Sequence, residues 1–283
     1  MASPLFGFTQ FEFGFLLGPG DGRYMVRDDP EQEPETVLVL STLAAPERRR
    51  LRGRKGRSVE AASPEAVPTS RVTVVRTEPF TTVDHAEVWL AAVRDDEERR
   101  DDELDRALTV LNEALHAYRI ARASPNVRDV SLDQALVGRI GFGSGDDAVA
   151  GLYKQAWELP RDGVARAKRS MEAPEERFAA LLSGRERVLA CEDLVLRAGA
   201  DIRAGRTREA ALQSRVALEA LLAELPRLSD DRRAELEADR QAIGDAANAA
   251  LKGDISDELA DALADSIRRM ESALRARRLD SAS

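Results

Sequence analysis

Between Arg185 and Arg278 the chain is a series of long amphipathic segments joined by very short connections, and this pattern limits the fold more than any other feature. Val188, Cys191, Val195, Ala198 and Ile202 recur at alternating steps of three and four, the spacing of one helical face. Gly205 supplies a stop, and Thr207 an N-cap for a second helix that carries Leu212, Val216, Leu222 and Leu225 to Pro226. Ser229 opens a third, running through Leu236, Ile243, Ala247, Ala250 and Leu251 to Gly253. Asp254 or Ser256 caps a fourth, with Leu259, Leu263, Ile267, Met270 and Leu274 on one stripe. Helices of this kind are about 30 Å long, and connections of about two to five residues force neighbours to run antiparallel. The expectation is an up-down antiparallel helical bundle over residues 170–280.

The N-terminal part differs in kind. Phe11, Phe13 and Phe15 alternate with Glu12 and Gly14, the period of a half-buried strand. Gly18-Pro19-Gly20-Asp21-Gly22 reads as a hairpin turn leading into a strand at Arg23–Arg27. Thr36–Leu43 and Arg71–Thr77 are further β-rich runs, and the polar stretch Pro46–Ser70 between them reads as a solvated, disordered loop. Four such strands form a small antiparallel sheet, which needs helices or a partner over its apolar face.

The covering helices are sought in residues 84–160. Asp84 reads as an N-cap, with Val88, Trp89 and Ala92 on the first helical face. The charged run Asp95–Arg106 reads as a solvated helix surface held by ion pairs one turn apart, each worth about 0.3 kcal/mol. Leu104, Leu108, Leu111, Leu115 and Tyr118 continue as a stripe, ended by Pro125. Ser131 and Gln134 have capping-box spacing and predict a helix over Ser131–Ile140, with another at Asp146–Leu159 and a short one begun by Pro174. The fold class is therefore α+β and predominantly α: a sheet module over 1–80, helices over 84–160 packed on it, and the bundle.

Composition narrows the chemistry. A net charge of −9 argues against general binding of polyanions. Only four of the 42 basic residues are lysine, an arginine bias typical of GC-rich bacterial genes, so short arginine runs carry less weight. The one cysteine, Cys191, can form neither an internal disulfide nor a thiolate metal site alone, and its stripe position makes it a core residue. Met1–Leu17 lacks the marks of a secretory signal, and no apolar run reaches the about 18 residues that span a bilayer; a cytoplasmic protein is expected. No aromatic residue follows Phe178, so any pocket is expected between the N-terminal sheet and the helices of 84–160.

Individual motifs carry little. Gly141, Gly143, Ser144, Gly145 and Asp146 form a candidate ligand loop, because glycines let a backbone approach phosphate and a helix N-terminus follows. Yet Asp146 stands where a dinucleotide fingerprint has its third glycine, the segment before it reads as helix, and the P-loop Gly-Lys-Ser/Thr is missing. The simpler reading is a loop between two helices. Glu113 and His116 have the Glu-x-x-His spacing of di-iron helices, but a second such motif is missing, the only other histidine being His85, and Glu113 falls opposite the apolar stripe. Ser144 has Phe142 two residues before it, so the nucleophile elbow is absent. Asp101, Asp102, Glu103 and Asp105 lack a glycine-turned calcium loop. Arg48, Arg49, Arg50, Arg52, Arg54, Lys55 and Arg57 could meet phosphates or an anionic membrane, but without interleaved aromatics they imply no sequence readout.

No catalytic residue, metal or cofactor is expected from these residues. The sequence points to a non-enzymatic scaffold, adaptor or regulatory protein acting through helix-mediated contacts with a protein partner or a second copy. The alternatives are an auxiliary nucleic-acid- or membrane-surface-binding protein using the Arg48–Arg57 loop, and a small-molecule-binding domain in residues 1–160.

Overall fold

The computed structural model describes residues 3–27, 31, 33–43, 68–150, 153–160, 174–225 and 228–281. The chain divides into two units, Met1–Lys168 and Arg169–Ser283. The first is an antiparallel sheet with helices and the second is helical, which makes the fold α+β.

The sheet has six strands: β1 Leu5–Phe13, β2 Gly22–Val26, β3 Thr36–Leu43, β4 Thr69–Phe80, β5 Ala135–Ser144 and β6 Gln155–Glu158. Their order is β2-β3-β4-β1-β5-β6, with every neighbouring pair antiparallel. Thr36–Leu43 and Arg71–Thr77 therefore pair as expected, with Leu38 opposite Val74 and Leu40 opposite Val72. The Gly18–Gly22 turn closes no hairpin, because β3 and β4 lie between β1 and β2. Asp21 instead accepts the backbone N–H and the hydroxyl of Thr42 at 2.9 and 2.8 Å, tying the turn to the end of β3.

β1 is the centre of this unit. Thr9, Phe11 and Phe13 point to one face, where Phe11 lies opposite Val72 on β4 and Gly138 on β5. That face is covered by α1 (Val83–Asp95) through Ala86, Leu90 and Val93, and by α2 (Glu97–Ala121) through Leu104, Ala107, Leu111 and Leu115. Full burial of each large side chain contributes about 1.5–3 kcal/mol, so this single cluster supplies most of the cohesion. The first-helix expectation needs two corrections. Thr82 is the N-cap, accepting the His85 N–H at 3.1 Å, and Asp84 sits in the first turn. The buried stripe is Ala86–Leu90–Val93, and Val88 is 68% exposed.

The larger correction concerns residues 131–159. The capping-box contact exists, with Gln134 Oε1 accepting the Ser131 N–H at 3.0 Å, but it closes only a single 3-10 turn, Leu132–Gln134. The chain then runs as β5, because Gly138, Ile140 and Phe142 alternate toward the helices while Val137, Arg139 and Gly141 face the other way. The second predicted helix is only α3, Gly145–Ala150, followed by β6. Gly141 is what admits β6: a Cβ there would lie 2.4 Å from the Gln155 carbonyl and 2.7 Å from the Ala156 Cβ. A glycine-dotted edge hairpin carries weak strand propensity, which is why helical signals outweighed it in the sequence.

The second unit opens with α4, Pro174–Leu182, and continues as α5 Ala190–Arg203, α6 Thr207–Glu224, α7 Asp230–Lys252 and α8 Asp257–Ser281. Each of α5–α8 packs on the next, and α8 returns to α5, closing a four-helix bundle. Gly205 and Gly253 take positive φ of 71° and 123° at two helix ends, as their positions predict. Cys191, Val195, Ala217, Leu218, Leu221, Leu236, Ile243, Leu263, Ile267 and Met270 fill the core. In α6, however, the face turned inward is Ala210, Ala211, Ser214, Ala217, Leu218 and Leu221. Leu212 and Val216, read from the sequence as part of the core stripe, are 41% and 59% exposed.

Buried charge fastens the bundle's ends. Glu192, 5% exposed, receives Arg177 of α4 at 2.5 Å and Arg277 of α8 at 3.2 Å, while Arg177 also reaches Glu186 at 3.1 Å. Between α7 and α8, Asp239 accepts Arg269 Nε at 2.8 Å and the Ser266 hydroxyl at 3.0 Å.

Candidate functional site

A groove of about 400 Å³ lies between α1, the first turns of α2 and the end of β4. Val88, Trp89, Ala92 and Val93 line it from α1, and Arg76, His85, Arg99, Asp102 and Glu103 line the rest. The helices separate at Asp96, which is extended (φ −111°, ψ 116°), ends α1 and caps α2 through the N–H groups of Glu98 and Arg99. That break opens the angle in which the groove lies.

The groove is built around Trp89. Arg76 holds its guanidinium carbon 5.7 Å from the Trp89 ring centroid, and Phe80 packs against Trp89 at 5.3 Å. Arg76 Nε also donates to Glu103 at 3.3 Å, and Arg106 pairs with the same carboxylate. Glu103 is 5% exposed, so two arginines replace its water. His85 stands at the mouth, edge-on to Phe80 at 5.5 Å, with Nδ1 3.2 Å from the Thr81 hydroxyl. Arg99 pairs with Asp96 at 3.4 Å. Along the same face, burial and then the charges of Asp101 and Asp102 hold the Asp105 carboxyl above its ordinary range. An apolar lining beside groups of both charge signs is suited to holding a ligand or a partner side chain, and its arginines are already engaged by carboxylates.

The charged run Asp95–Arg106 is not solvated throughout, because Glu103 within it is buried. Glu103, Ala107 and Leu111 recur at steps of four and are all buried, so the row could have been followed upstream into the charged segment. Arg76 had no such signal, because it lies within a β-rich run whose partner across the groove is set by tertiary structure.

The candidate ligand loop is not a loop. Gly141, Gly143 and Ser144 belong to β5, and Gly145 and Asp146 begin the short α3. Ser144 serves that turn, donating its hydroxyl to Asp147 at 2.5 Å. The basic cluster Arg48, Arg49, Arg50, Arg52, Arg54, Lys55 and Arg57 lies outside the described residues. Glu113 is exposed, as its helical position implies, and His116 meets Arg119 rather than a second carboxylate. Among the described residues no three of His, Cys, Asp and Glu stand together as a metal site.

On the sheet's other face a polar row crosses three strands, β4, β1 and β5. Gln10 donates to Thr73 at 2.9 Å, Arg139 donates to Gln10 at 3.1 Å and Glu12 at 2.9 Å, and Arg71 pairs with Glu12 at 3.0 Å. Burial pushes the Glu12 carboxyl up, and hydrogen bonds from Arg139 and Arg71 more than offset it, leaving it below its ordinary value.

The bundle adds two observations. Burial, then the nearby Glu224 carboxylate, pushes the Cys191 thiol up to about 12. Glu224 itself accepts the Cys191 N–H at 2.9 Å and the Ala190 N–H at 3.3 Å, capping α5 from the far end of α6. Outside, Leu196, Leu212, Val216 and Leu251 are 52%, 41%, 59% and 70% exposed around a core that is already closed. No helix among the described residues is long and apolar enough to cross a membrane. Comparison with known proteins found no matching family model, no matching curated protein and no matching solved structure.

Proposed function

We propose that this protein is a non-enzymatic cytoplasmic scaffold or adaptor that acts by helix-mediated contact, with its C-terminal bundle meeting another copy of the chain. The observation that supports this reading is the surplus of large apolar side chains outside a filled core, above all Leu212 and Val216 on one helix. Covering such half-exposed residues contributes roughly 1 kcal/mol each, and a two-fold contact counts every one of them twice. The test is light scattering of the full chain across a concentration series. The reading expects a species of twice 31.0 kDa to grow in with concentration; a single 31.0 kDa species throughout would remove it.

The groove favours a second reading, a small-molecule-binding role for the first unit. A volume of about 400 Å³ lined by Trp89, Val88 and Ala92 falls within the range of ligand sites. A thermal-shift screen of nucleotides and metabolites checks it, since a ligand at about 100 times its Kd stabilises by about 2.7 kcal/mol. A hit that survives Trp89→Ala would place the ligand elsewhere.

A further inference from the structure

We propose that two copies meet through the outward stripe of α6, paired antiparallel about a two-fold axis passing between Ala217 and Leu218. The inference rests on the contact reading above and adds to it the surface, the register and the charges that select them.

With Ala210, Ser214, Ala217 and Leu221 turned into the bundle, the opposite side of α6 carries the exposed Leu212, Val216 and Ala223, with Ala220 half-buried at its edge against the core. Two large side chains are followed by two small ones. Antiparallel pairing sets large against small: Leu212 opposite the partner's Ala223, and Val216 beside the partner's Ala220. Parallel pairing would instead set leucine against leucine and leave a gap between the alanines. The sizes thus favour one direction.

Charge favours the same register. Arg215 and Glu219 flank the stripe one turn apart, on the side that faces α7. The axis lies midway between them, so Arg215 stands beside the partner's Glu219 and Glu219 beside the partner's Arg215. A parallel arrangement would bring like charges together. Within the chain, Arg215 reaches Asn248 only at 3.4 Å, and Glu219 holds Arg240 at 2.8 and 3.0 Å while staying 58% exposed. A carboxylate has about four lone-pair sites, so Glu219 can accept a second arginine. One 18-residue helix gives a contact at the small end of specific interfaces.

Sedimentation equilibrium of the full chain tests the register by charge reversal. Arg215→Glu alone and Glu219→Arg alone should each weaken dimerisation by at least about tenfold, and the double reversal should return it to within about threefold of the original. Leu212→Gln, on an exposed position outside the core cluster, should weaken it without any change of charge. Circular dichroism identifies any variant that has lost its helices, and the comparison is made among the folded ones. If the original chain dimerises but neither single reversal nor Leu212→Gln weakens it, the copies meet elsewhere: the stripe is wrong and the contact reading stands. Singles that weaken association with no recovery in the double overturn the antiparallel register. A chain that is monomeric at every concentration overturns both.

Discussion

Replacing Glu103 by alanine should unfold the first unit far more easily than its position in a charged helical run suggests. Glu103 is 5% exposed and accepts from both Arg76 and Arg106, whose side chains are 38% and 36% exposed. Removing one partner of a buried ion pair costs about 3–5 kcal/mol, because the remaining charge keeps its burial without its compensation. Both arginines can swing partly into water, which places the loss at the low end, about 3 kcal/mol. The comparison is Arg94→Ala, whose pair with Asp95 is 52% and 65% exposed, so solvent screens it and the unfolding midpoint should stay where it is. Both tryptophans, Trp89 and Trp157, lie in the first unit, so tryptophan emission during urea unfolding follows that unit alone. With a denaturant slope of about 2 kcal/mol per molar, the Glu103→Ala midpoint should fall by roughly 1.5 M. Native emission should also change as Arg76 leaves the Trp89 ring. Equal midpoints for the two variants would refute the reasoning.

Three further outcomes follow from named contacts. Gly141→Ala should destabilise the first unit by about 2 kcal/mol and free the β6 edge, read as lost amide protection at 155–158; a neutral substitution would mean that β5 and β6 do not approach as closely as described. Glu12 is held below its ordinary 4.5, so its contribution is complete above that value and is lost as pH falls through the lower folded value; Glu12→Gln should flatten acid unfolding in that window, and an unchanged profile would count against the Arg71–Glu12–Arg139 row. Cys191, with its thiol at about 12, should resist a disulfide reagent at pH 8 until the bundle is denatured, and prompt reaction in the native state would contradict its burial.

What was legible in the sequence divides along a physical line. The four long helices of the bundle follow from periodicity and from Gly205 and Gly253, both local properties. Which face of α6 points inward does not, because apolar residues lie nearly all around it. Leucine weight alone favoured Leu212 and Val216, but close approach of α5 and α6 selects the alanine and serine face. The same limit appears at β5. Its Gly-Arg-Ile-Gly-Phe-Gly alternation is visible, yet its longest pairing is with β1, over a hundred residues away. The groove was legible in part: the aromatic distribution placed any pocket between the N-terminal sheet and the helices of 84–160, and Val88, Trp89 and Ala92 share one helical face. Its polar half was not, since Arg76 and Glu103 meet only when β4 and α2 are packed.

The most direct test of contact through α6 is a distance between copies. Cys191, the one native cysteine, is buried with its thiol pushed up to about 12, so a nitroxide attached to Glu209→Cys should be the sole label on the chain. From 1.5 Å of rise per residue and about 9 Å between paired helices, the two labelled positions should lie about 27 Å apart. A dipolar distance distribution centred there at high micromolar concentration, fading on dilution, is the result predicted. A decay showing only background, or a distance well outside that value, would contradict it.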